Sequence, residues 1–198
     1  MRCSVLALLL TSGCWSQGGE ELPGEPVGTF EAVGLMVEQS CGAAIPAPDP
    51  LELKFDLRSE SNGRAYWRLW GGATFAGVEN DGRYTFQISQ SWVVIEPDRF
   101  RGYPGCSVTQ RDVFEFEVDV PEAPTEADAG SAGDAGSQDG SDAGVDPLSV
   151  TLTGSQITEI MPLSGADCTP AVAAMGGPFL SLPCRVEYVL TGNGVATE

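Results

Sequence analysis

A chain of 198 residues with a formal charge of −18 and no histidine has the length of one domain with a real core. It lacks the basic surface that phosphate backbones need, which excludes a nucleic-acid footprint. Without histidine, Ser-His and Cys-His nucleophile systems and His-containing zinc sites are excluded as well. The excess acid is unevenly spread: between Lys54 and Arg111 basic residues slightly outnumber acidic ones, whereas residues 121–147 hold seven carboxylates and no cation.

Residues 1–13 have the three parts of an export signal: Arg2, the apolar run Val5-Leu6-Ala7-Leu8-Leu9-Leu10, and the small residues Thr11-Ser12-Gly13. That run is far shorter than the ~18 to 20 residues of a membrane-crossing helix. Leu10-Thr11-Ser12-Gly13-Cys14 resembles the lipobox of bacterial lipoproteins, which implies that Cys14 is lipidated and becomes the first mature residue. The alternative is an ordinary signal peptide with Cys14 left as a thiol. Cysteine parity favours the lipoprotein. Once Cys3 is lost with the leader and Cys14 is joined to lipid, Cys41, Cys106, Cys168 and Cys184 form an even set suited to an oxidising compartment. The acyl chains implied by the resemblance would anchor the protein to a membrane. Trp15 after the modified cysteine, in place of Asp, points to the outer membrane if the Gram-negative sorting pattern applies.

Residues 14–27 are rich in Gly, Glu and Pro and are expected to be a flexible tether. The β domain is expected over 28–192, opening with a strand at 29–39. Residues 45–50 carry three prolines and cannot continue a ladder. The clearest alternation follows: Leu51, Leu53, Phe55 and Leu57 on one face, Glu52, Lys54, Asp56 and Arg58 on the other. Further strands are expected at 64–70, at 73–78 and 83–89 around the Asp81-Gly82 hairpin signal, and at 92–95 and 112–120. Residues 121–147 repeat Asp-Ala-Gly without aromatics, the composition of a disordered acidic insertion. The repeat matches no calcium-binding loop. Strands resume at 148–153 and 156–161. Thr169 and Pro170 favour one short helix over 171–175, a last strand spans 185–191, and 193–198 is a tail.

Nine or ten short strands indicate an all-β fold: a single antiparallel β-barrel, or a β-sandwich. Gly28-Thr29-Phe30 resembles the opening of the first strand in lipocalin-type barrels, which favours the barrel. About fifty residues follow the acidic insertion, too few for a secure core of their own, so they should complete the same sheet. Among the three possible pairings of four cysteines, Cys41 with Cys106 and Cys168 with Cys184 would each clip a loop beside a strand.

Tyr66, Arg68 and Trp70 share one strand face, with Trp67 and Leu69 on the other. The first three are the candidate contacts for a small ligand, a sugar or an envelope protein. Glu115 and Glu117 share a face, as a carboxylate hydrolase would need, but a solvated strand face explains them better. The cysteines lack the close pairs of a zinc site built from four thiolates. No cofactor is implied. The expectation is a non-enzymatic, lipid-anchored envelope protein with a ligand- or protein-binding β domain; the alternative is a structural envelope component with an acidic spacer loop.

Overall fold

A computed structural model describes residues 22–70, 72–120 and 150–196. The leader, Cys14, most of the tether, the acidic insertion and the last two residues lie outside the described residues. Eight strands follow one another: β1 (Glu25–Gln39), β2 (Leu51–Ser59), β3 (Arg64–Leu69), β4 (Thr74–Asn80), β5 (Arg83–Ile95), β6 (Cys106–Asp119), β7 (Thr151–Pro162) and β8 (Cys184–Val195). Each pairs antiparallel with the next, and β8 returns to β1, so the sheet closes into an up-and-down barrel without a free edge. Closure through β1 and β8 excludes the sandwich.

The count is eight rather than nine or ten because two breaks expected from polar residues do not occur. Ser89, Gln90 and Ser91 stay in register with Arg111, Gln110 and Thr109, joining 83–89 to 92–95 as β5. Gly154 and Ser155 pair with Phe116 and Glu115, joining the two segments of β7. Strand boundaries also extend beyond the expected ones. β1 begins at Glu25, inside the expected tether, where Glu25 pairs with Ser59 and the Arg58 Nε donates to the Gly24 carbonyl at 2.8 Å. β6 begins at Cys106, and β8 runs through Asn193, which pairs with both Glu31 and Thr151.

The expected helix is instead two single 3-10 turns, Thr169–Ala171 and Ala173–Met175, interrupted at Val172. Val172 is extended and bridges to Phe179, so backbone groups that a helix would use are committed across the loop.

Strand alternation fills the barrel with rings. Phe30, Phe55, Trp67, Phe86, Phe114 and Phe116 are buried. Trp67 is the hub, with Phe55, Phe75, Phe86 and Phe114 centred between 4.2 and 5.7 Å from it. Glycines make room for these rings. Gly77 lies opposite Phe86 and Gly154 opposite Phe116. A Cβ on Gly77 would stand 2.5 Å from the Phe86 ring, and one on Gly154 would stand 2.6 Å from Phe116 Cα. Small residues facing large ones suit the narrow bore of an eight-stranded barrel. The outward face of β2 carries Glu52, Lys54, Asp56 and Arg58, with Phe55 and Leu57 buried on the inward face.

The strand directions give the barrel two different poles. The first residue of β1, the last of β8 and both ends of the 121–149 connection fall at one pole. Loops 40–50, 96–105 and 163–183 fall at the other, together with all four described cysteines.

These cysteines are joined as Cys41–Cys184 and Cys106–Cys168, which corrects the expected pairing. Barrel closure is the reason. The Ser40 N–H donates to the Arg185 carbonyl at 2.8 Å across the β1–β8 seam, bringing Cys41 to Cys184. The Asp167 N–H donates to the Gly105 carbonyl at 2.9 Å, bringing the chain after β7 back to the start of β6. Pairing by loop clipping assumed neighbours along the chain, whereas the sheet makes neighbours of its two ends.

Candidate functional site

The face rule for β3 holds, and it places the expected contacts outside. Trp67 points into the barrel with 1% of its surface exposed, while Trp70 is 61% exposed. Tyr66, Arg68 and Trp70 meet their partners on the outer surface. The Tyr66 hydroxyl donates to Glu60 at 3.2 Å. Arg68 clasps Asp56 through Nε at 3.3 Å and Nη2 at 2.7 Å, with the Thr29 hydroxyl donating to the other carboxylate oxygen at 2.8 Å. The Lys54 ammonium sits 4.1 Å above the Trp70 ring. Arg68, Asp56 and Thr29 border a surface hollow of about 380 Å³, whose lining includes neither Tyr66 nor Trp70.

Burial by itself would raise the Asp56 pKa, but hydrogen bonds from Arg68 and Thr29, the Arg68 charge and Trp70 outweigh it and hold the carboxyl below its ordinary 3.8. A depressed folded-state pKa stabilises the fold above the unfolded value and loses that effect as the pH falls through the folded one. Asp56→Asn should therefore flatten the acid limb of stability below about pH 4. At neutral pH it should cost about 1 kcal/mol or less, since the pair is partly solvated. Urea unfolding at a series of pH values would measure both.

Glu115 and Glu117 are exposed on the outer face of β6, and Glu117 is ion-paired with Arg83. They border a shallow hollow of about 250 Å³.

The interior holds a different arrangement at the cysteine-bearing pole. A cavity of about 230 Å³ lies between the 40–50 loop and the aromatic packing below. Ile45, Pro46 and Pro48 cover it, and Trp67, Phe75 and Phe114 line it from within. The Tyr188 hydroxyl donates to the Pro48 carbonyl at 2.9 Å, holding the cover down. Burial, with the Asp49 carboxylate, keeps the Tyr188 pKa above its ordinary value, so the donor proton is retained.

Polar groups enter this cavity from β6 and β7. Asp112 is 9% exposed; its two oxygens accept from the Thr158 hydroxyl at 2.6 Å and the Gln110 amide at 2.7 Å. Two buried polar atoms have no partner among the described residues, the Trp67 indole Nε1 and Gln156 Oε1, and both residues line the cavity. Leaving such atoms unpaired costs about 1 to 3 kcal/mol each.

Alternation carried the missed signal. Gln110 and Asp112 share the phase of Phe114 and Phe116, and Gln156 and Thr158 share that of Leu152 and Ile160; both are polar pairs on an otherwise dry face. Among the described residues no group of three or more acidic or cysteine side chains could hold a metal ion, and no helix is long and apolar enough to cross a membrane.

Fold and cavity together define a class: a closed, eight-stranded, up-and-down antiparallel barrel with a cavity at one pole. Comparison with protein-family models, with curated proteins and with solved structures found no match.

Proposed function

We propose that the protein is an exported, lipid-anchored binding protein of the cell envelope, whose barrel takes a small ligand in the cavity bordered by Trp67, Asp112 and Gln156. The cavity carries this reading, since it combines apolar walls with a few polar side chains, Gln110, Asp112, Gln156 and Thr158, the usual make-up of a small-molecule site. The export leader, Cys14 and the two cross-links support the location. The outer row of Tyr66, Arg68 and Trp70 serves a secondary contact, if any, because Arg68 is already engaged by Asp56.

Ligand-observed NMR on the full chain with single-ring fragments tests the binding arm. Fragments should bind the natural chain and lose binding in Ile88→Trp, which fills the cavity from β5. Equal binding by both proteins, or none by either, rejects the cavity. Cys14→Ser should move the protein from the membrane pellet to the soluble fraction; unchanged pelleting rejects the anchor.

A further inference from the structure

We infer that the ligand of this cavity is a small organic cation, an amine or ammonium on a single-ring apolar body. The inference rests on the binding reading above. Asp112 is the one charged residue among those that line the cavity. Its carboxylate is held by two neutral donors, Thr158 and Gln110, and no Lys or Arg among the described residues forms a salt bridge with it. The carboxylates that pair with a cation, such as Asp56 with Arg68 and Glu117 with Arg83, lie on the outer surface.

A carboxylate kept this dry is compensated best by a cation brought in with the ligand, whereas an anion would meet the charge of Asp112. Trp67, Phe75, Phe114 and Tyr188 add ring surfaces, whose π faces favour positive charge over negative. The 230 Å³ volume limits the apolar body to about one ring.

Phenylalaninamide, titrated at about pH 6 where its α-amine is protonated, meets these demands, and two relatives of the same skeleton lack the positive charge: 3-phenylpropanamide, without the amine, and 3-phenylpropanoate, with a carboxylate in place of the amide. Calorimetric titration of the full chain should give an order tenfold or more in favour of the cation over the neutral amide, with the anion weakest. Asp112→Asn should abolish that preference and bring the two amides within about twofold of each other. Neutral amide or anion binding as tightly as the cation would overturn the charge inference while leaving the cavity reading intact. Failure of all three probes, with the fragments also silent, would remove both. Should Asp112→Asn fail to fold, the order of the three probes on the natural chain still decides.

Discussion

Replacing Cys41 and Cys184 together by serine should lower the stability of the folded chain by about 5 kcal/mol, the largest loss expected from any change at the cysteine-bearing pole. The bond closes a loop of 143 residues, against 62 for Cys106–Cys168, and the entropy removed from the unfolded chain grows with the logarithm of that length; the second bond should be worth about 4 kcal/mol. Beyond the entropy lies a structural reason. Cys41–Cys184 stands at the one seam of the barrel formed by the first and last strands, and at the same corner the Ser181 hydroxyl donates to the Ser40 carbonyl, the Ser40 hydroxyl to the Arg185 carbonyl and the Leu180 N–H to the Cys41 carbonyl. Urea unfolding of the two double-serine variants and the natural protein measures both losses. A smaller loss for Cys41–Cys184 than for Cys106–Cys168 would mean that the unfolded chain keeps its ends together without the bond.

Trp67→Ala should cost about 3 to 5 kcal/mol, the range for removing a buried aromatic, whereas Trp70→Ala should cost no more than about 1 kcal/mol. The two tryptophans are three residues apart at the upper end of β3, one inside and one outside. Trp67 touches four other rings and its loss would leave a hole at the floor of the cavity. Trp70 gives up one Lys54 contact at the surface. Thermal unfolding of the pair, followed by near-ultraviolet dichroism, compares them directly. Similar costs for both would contradict the face assignment of β3 on which the cavity depends.

Much of the architecture was legible in the residues, and the reasons differ from strand to strand. β2 was plain because Leu51 to Leu57 and Glu52 to Arg58 alternate without exception. The closed sheet could be favoured but not fixed, since β1 meets β8 across nearly the whole chain and no local pattern encodes that pairing; for the same reason the cysteine partners were misjudged. Ser89-Gln90-Ser91 and Gly154-Ser155 looked like interruptions because turn composition and an inward glycine beneath a ring have the same letters.

At β3 the alternation separated Tyr66, Arg68 and Trp70 from Trp67 and Leu69 but could not say which set faced inward; the outer polar row of β2, in register beside it, decides that. An acid at the first position of the expected 112–120 strand is accounted for by a solvated strand end, and its neighbours Gln110 and Thr158 become meaningful only when β6 and β7 lie side by side.

The chain enters and leaves the barrel at one pole and carries its cavity at the other. A tether acting at residue 25 would therefore hold the barrel by its base and leave loops 40–50, 96–105 and 163–183 facing away from the point of attachment.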